Sequence, residues 1–241
     1  MPRRMFYGNE DSQHGHWYPG DADKPVVTLV HGGYWRNLYT MSMETAVAKD
    51  LNQRGYPVWN IEYRRVGEPG VRWPILGEDV LAAIDYADAK LAKAGQIVVS
   101  HSAGSTLGVW AAAQRENLLG AVSRAGVLDL IERGDGDQSM RLLFDLAPNA
   151  NLRLVKRTFA EASPVGRMPF KTPVRVLHGR KDETVPWQLA QWFCDNAQKN
   201  HMDVTMQIIE NEGHDDFLEP TSRSHAATVA AIDELSTRTS D

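Results

Sequence analysis

A doubly wound, mostly parallel α/β sheet with a small helical insertion is the fold this sequence predicts, on two observations. Short β-rich apolar runs alternate with longer helical patterns, and most of those runs are continuously apolar, as strands buried on both faces must be. Residues 1–25 are polar and marked by Gly and Pro, with room for one short antiparallel strand around His16–Tyr18 before Pro19-Gly20. The predicted parallel strands are Val26–Val30, Val58–Tyr63, Ile97–Ser100, Ala121–Ala125, Val174–His178 and Val204–Ile209. Helices are predicted near 41–54, 77–94, 103–116, 186–199 and 221–237. The second follows Pro74 and carries Leu76, Val80, Leu81, Ile84 and Ala87 at three- and four-residue steps.

Residues 129–170 break the alternation. They contain Gly134-Asp135-Gly136-Asp137, then two expected short helices near 138–147 and 151–160, then Ser163-Pro164. Such an insertion suits a small cap over the open end of a sheet. With no internal repeat and no low-complexity linker, residues 1–241 are read as a single domain. A domain of this size buries roughly 70–75% of its unfolded surface.

Composition narrows the partners. The 26 basic and 31 acidic residues leave a net charge of −5, with no positive excess to hold nucleic acid. No stretch of about twenty apolar residues is present, and the N-terminus has two arginines but no apolar run behind them, so neither a membrane nor a targeting segment is expected. The only cysteine, Cys194, falls in a helical pattern and reads as a structural thiol. A cytoplasmic protein acting on a small-molecule substrate is expected, with homodimerisation left open.

Ligands of open parallel sheets bind beyond the carboxyl ends of the strands. There this chain carries His31-Gly32-Gly33-Tyr34-Trp35, His101-Ser102-Ala103-Gly104, Gly179-Arg180-Lys181-Asp182 and Gly213-His214-Asp215. Ser102, Asp182 and His214 thus follow one another in the chain order of nucleophile-elbow hydrolases. A serine hydroxyl is a poor nucleophile near neutral pH; it needs an imidazole to take its proton and a carboxylate to orient that imidazole. The elbow pattern is Gly-x-Ser-x-Gly, but here Ser100 replaces the first glycine and only Gly104 is kept. Ser102 would otherwise be a helix N-cap, and Glu183 and Asp129 compete with Asp182 as the acid. The N–H groups of Gly33 and Tyr34, or of Gly32 and Gly33, joined by that of Ala103, form the candidate oxyanion hole. Tyr34 and Trp35 are candidate substrate contacts, although Trp35 fits a core role equally well. Arg36, Arg64 and Arg65 are candidate receivers of a substrate carboxylate, with a solvated arginine as the default expectation. His31 and His101 are expected to hold their loops, and His178 sits just before the acid loop; none of the three is expected to be the general base. His214-Asp215-Asp216 has no recognised metal-ligand spacing, so no metal is expected.

From Val26 to Phe217 the chain resembles the α/β-hydrolases, and most closely the arylformamidase (kynurenine formamidase) and related esterase group. The resemblance rests on HGGYW at 31–35, IEYR at 61–64 with LGEDV at 76–80, Ser163-Pro164, G-x-x-D-x-x-V-P at 179–186 and Gly213-His214-Asp215. It implies an acyl-enzyme mechanism without cofactor: Ser102 as nucleophile, His214 as base, Asp182 as its orienting acid, and an aryl formamide such as N-formylkynurenine as substrate. A carboxylesterase for short acyl esters would use the same residues. A hydrolase-fold protein that binds a ligand without turning it over is the contrasting expectation, and such proteins usually lack a triad member.

Overall fold

The computed structural model describes residues 2–130, 138–147, 150 and 152–238. Its centre is an eight-stranded sheet in the order β1-β2-β4-β3-β5-β6-β7-β8. The strands are β1 (Arg3–Phe6), β2 (His14–Tyr18), β3 (Val26–Val30), β4 (Val58–Ile61), β5 (Gln96–His101), β6 (Gly120–Arg124), β7 (Val174–Gly179) and β8 (Val204–Ile209). Strands β4 to β8 and β3 run parallel, while β2 joins β4, and β1 joins β2, antiparallel. The N-terminal region therefore forms a two-stranded antiparallel extension, one strand more than the sequence predicts. Arg3-Arg4-Met5-Phe6 is too charged and too short to read as a strand, and it serves as an exposed edge, where charge discourages further pairing.

Among the described residues seven α-helices accompany the sheet: α1 (Thr45–Gln53), α2 (Ile75–Lys90), α3 (Ala103–Ala112), α4 (Gln138–Leu143), α5 (Leu152–Ala162), α6 (Trp187–Lys199) and α7 (Arg223–Ser236). Helices α2, α3 and α6 bury Leu76, Val80, Leu107, Trp110 and Phe193 in one core. On the other face of the sheet, α1 and α7 bury Val47, Leu51, Ile232 and Leu235. This is the doubly wound arrangement the alternation predicts, with helix ends shifted by a few residues, the usual uncertainty where ends fray. Helix α4 is shorter than expected, and Gly134–Asp137 lies outside the described residues.

Helix α3 is buried on every side, so it carries no polar stripe. Small residues let it approach the sheet: a Cβ on Gly104 would meet the carbonyl oxygens of His31 and Val30 at 2.3 and 2.6 Å. That approach sets the start of α3 directly against the loop that follows β3.

Candidate active site

Ser102 lies between β5 and α3 with φ 53° and ψ −126°. A left-handed φ at a non-glycine residue costs on the order of 1–3 kcal/mol and persists only where neighbours enforce it. Here the Ser102 N–H donates to the Arg124 carbonyl (2.9 Å), and its own carbonyl accepts from Ser105 N–H (2.9 Å) and Val127 N–H (3.3 Å). The side chain is thereby presented at the carboxyl edge of the sheet.

His214 follows β8, and its Nε2 accepts from Ser102 Oγ at 2.8 Å. Its Nδ1 donates to Asp182 Oδ2, also at 2.8 Å. Asp182 follows β7, and its Oδ1 accepts the N–H groups of Thr184 and Val185 at 2.9 and 2.8 Å. Burial pushes the Asp182 carboxyl up, but hydrogen bonds from His178 and His214 outweigh it and hold the group well below the usual carboxylate range. The structure therefore brings Ser102, His214 and Asp182 into one hydrogen-bonded chain from three loops, Asp182 lying 32 residues and Ser102 112 residues from His214 in sequence. Asp129, by contrast, accepts from Trp192 Nε1 at 3.0 Å.

The loop after β3 faces Ser102. Gly33 (φ 105°), Tyr34 (φ 55°) and Trp35 (φ 59°) are consecutive left-handed residues. A Cβ on Gly32 would come within 2.9 Å of Ser102 Cβ and of the His101 carbonyl oxygen, so only glycine fits there. Among the described residues no protein acceptor takes the N–H of Gly33, Tyr34 or Ala103. Trp35 is buried, and its Nε1 donates to the Ala103 carbonyl at 2.9 Å, while Tyr34 is 39% exposed. Together with Val127, Thr184 and Val185 these two aromatics wall a cavity of about 10 Å³ beside Ser102.

Several supports were not legible as such. Buried Glu62 accepts from His31 Nε2 (2.7 Å) and the Met41 N–H (3.1 Å) and pairs with Arg65 (2.9 Å), which anchors the HGG loop. Burial opposes the Glu62 charge, but His31 and Arg65 lower its pKa below the usual value. Arg64 forms a two-pronged pair with Asp79 at 2.8 and 2.7 Å. Arg64 and Arg65 are thus paired with carboxylates of the chain itself, Asp79 for the first and Glu62 and Glu68 for the second. Arg124, fully buried, pairs with Glu44 at 2.6 Å and donates to the Phe217 carbonyl at 3.3 Å. Ionisable residues beside strand ends are the one sequence signal that could have marked these supports.

His101 donates from Nε2 to the His214 carbonyl at 3.0 Å, and the two rings lie 4.9 Å apart. Burial, with the nearby His214 and Arg124 charges, pushes the His101 pKa well down, so this ring is neutral. His101, His214 and Asp215 offer ligand atoms within 4.8 Å of one another. Both His214 nitrogens are already engaged by Ser102 and Asp182, so that group is not a free ligand set.

The sheet, its flanking helices and the site at its carboxyl edge define a hydrolase of α/β-hydrolase-like fold. Residues 75–233 match the model of the prolyl oligopeptidase family, and the chain belongs to that family. No curated protein matches it. Among solved structures it is similar to a truncated carbohydrate esterase from gut microbiota, at 15% identity and a TM-score of 0.83, covering 98% of this chain and 95% of that one. It also resembles esterase Est2 of Thermogutta terrifontis (18% identity, TM-score 0.75, 97% and 90% covered). Esterase B from Lactobacillus rhamnosis is a third (15% identity, TM-score 0.78, 98% and 87% covered). At such identities the likeness establishes the fold. Among the described residues no helix is long and apolar enough to cross a membrane.

Proposed function

We propose that this protein is a serine hydrolase that cleaves a small carbonyl substrate through an acyl-enzyme, with an aryl formamide such as N-formylkynurenine as the substrate type. The observation that carries the reading is the pair of 2.8 Å bonds linking Ser102 Oγ, His214 and Asp182. Ser102 Oγ attacks the carbonyl carbon as its proton passes to His214 Nε2. The oxyanion takes hydrogen bonds from Ala103 N–H and from the Gly33 and Tyr34 N–H groups. His214 then gives its proton to the leaving amine, and the C–N bond breaks. Water repeats the sequence on the formyl ester, returning the proton to Ser102 and releasing formate.

The cavity beside Ser102 supports a small acyl group. Its small size and mostly apolar lining suit a formyl or other short acyl group. Within the same proposal the chain is one domain with residues 129–170 as a small cap. There the Leu143 carbonyl of α4 accepts Trp73 N–H at 2.8 Å and the Glu161 carbonyl of α5 accepts Trp110 Nε1 at 3.1 Å.

A second reading, a carboxylesterase for short acyl esters, is favoured by the esterases among the structural relatives. Turnover of N-formylkynurenine beside a panel of short-chain aryl esters separates the two. Esters split and formamide untouched would sink the formamide assignment. A fluorophosphonate should label the wild type and leave Ser102→Ala unlabelled; a folded wild type that takes no label would instead favour a binding protein.

A further inference from the structure

His178 is the penultimate residue of β7 and is fully buried. Its Nε2 lies 2.8 Å from the Val185 carbonyl oxygen and 3.1 Å from Asp182 Oδ2. Both are acceptors, so the ring hydrogen sits on Nε2; it is hydrogen-bonded to the Val185 carbonyl, and the same nitrogen lies against Asp182 Oδ2. Nδ1 is buried with no partner among the described residues. The same Asp182 Oδ2 accepts from His214 Nδ1, and Oδ1 holds two backbone amides. A carboxylate has about four acceptor sites; three are hydrogen-bonded here, and His178 Nε2 lies against the fourth.

We propose that His178 is a positioning residue for hydrolysis: by sharing Asp182 Oδ2 with His214, it fixes the carboxylate's rotation and sets how strongly that oxygen supports the protonated base. The inference rests on the serine-hydrolase function proposed above. A second donor on Oδ2 draws off part of its negative charge, so the imidazolium formed at His214 is less stabilised than by an unshared carboxylate. Without His178, the base holds its proton to higher pH, and the 182–185 turn loses the tie at the Val185 carbonyl. The other groups facing His214 are Ser102 and neutral His101 from the end of β5, Arg124 of β6, already paired with Glu44, and Asp215 and Asp216 of its own turn. Asp216 accepts the Gly213 N–H at 2.6 Å. Among the described residues the His178 ring is hydrogen-bonded or ion-paired only with Val185 and Asp182, so a changed pH profile reports on Asp182 Oδ2.

The test is the second-order rate of fluorophosphonate labelling from about pH 5 to about pH 9 for wild type, His178→Leu and His178→Gln. Glutamine can place an N–H near the position of Nε2; leucine cannot. Partners that orient metal-bound histidines are worth about 10–100-fold, and a similar slowing is expected for His178→Leu at about pH 8. Its acid limb should also move to higher pH. His178→Gln should recover the rate to within about threefold and restore the wild-type limb. A leucine profile that overlays the wild type, or equal losses in both variants, overturns the proposal. Should the leucine variant fail to fold, ¹⁵N-histidine spectra of the wild type decide: an Nε2–H tautomer at His178 is expected, and an Nδ1–H tautomer overturns it. A folded wild type that never labels counts against the serine-hydrolase function, and the tautomer then judges the shared bond by itself.

Discussion

Ser102 carries the strained conformation that an exposed nucleophile needs, and three backbone hydrogen bonds from β6, α3 and the turn at Val127 hold it there. In the proposed mechanism its Oγ, His214 and Asp182 act as one unit, so Ser102→Ala or His214→Ala is expected to lower kcat on the order of 10⁴–10⁶-fold. Asp182→Asn should cost on the order of 10³–10⁴-fold by breaking the hydrogen bond that sets the imidazole tautomer. Asp129→Asn should cost less, since that carboxylate accepts from Trp192 while Asp182 holds His214. Steady-state kinetics on the four variants check the ranking, and a larger loss for Asp129→Asn would assign the acid to the wrong strand. At this scale the sequence was informative: residue type and position after a strand picked out three side chains that the fold joins by hydrogen bonds. It was silent on His178 and Glu62, because a buried histidine or glutamate looks the same in sequence whether it packs, supports or reacts.

At the scale of elements, the missing elbow glycine has a packing solution. Ser100 on β5 keeps its side chain because Gly108 stands opposite on α3; a Cβ on Gly108 would lie 2.9 Å from Ser100 Cβ and 3.1 Å from its Oγ. The Ser100 hydroxyl donates to the Val122 carbonyl at 3.3 Å. Gly108→Ala is therefore expected to destabilise by about 1–3 kcal/mol despite the better helix propensity of alanine. In the double variant Ser100→Gly, Gly108→Ala, most of that loss should return. Urea denaturation of the four proteins in this cycle measures the coupling; additive effects would disprove the contact. Cys194, on the buried side of α6, has its thiol pushed up to about 12 by burial and the neighbouring Asp195. Alkylation by iodoacetamide should be slow in the native protein and fast in urea, and fast native labelling would place the thiol outside the core.

For the whole molecule, buried ionisable groups give the stability a common pH dependence. Asp182 and Glu62 have folded-state pKa values below their unfolded ones, with hydrogen-bond and charge partners outweighing burial. Their contribution is present above the unfolded carboxyl values of about 3.9 and 4.3 and is lost as pH falls through the lower folded values. His101, lowered by burial, acts with the same sign at higher pH: below about 6.5 the unfolded chain takes up a proton that the folded one refuses. The thermal midpoint should hold between about pH 7 and pH 8, begin to fall below about pH 6.5, and fall further through the carboxylate range. His101→Gln should remove the first of these declines; a midpoint equally flat in both proteins down to about pH 5 would contradict a neutral buried His101.

The sequence by itself determined the doubly wound sheet and singled out its carboxyl edge as the candidate site, with Ser102 and His214 as candidates and Asp182 competing with Asp129 and Glu183 as the acid. Those are local properties: apolar period, turn chemistry and which residue type stands after which strand. The tertiary structure alone decided that β1 extends the sheet, that Asp182 and not Asp129 meets His214, that Trp35 is tied to Ala103, and that Ser100 is accommodated by Gly108. Each depends on the spatial approach of segments distant in the chain, and such approaches are set by packing across layers, which no local pattern encodes.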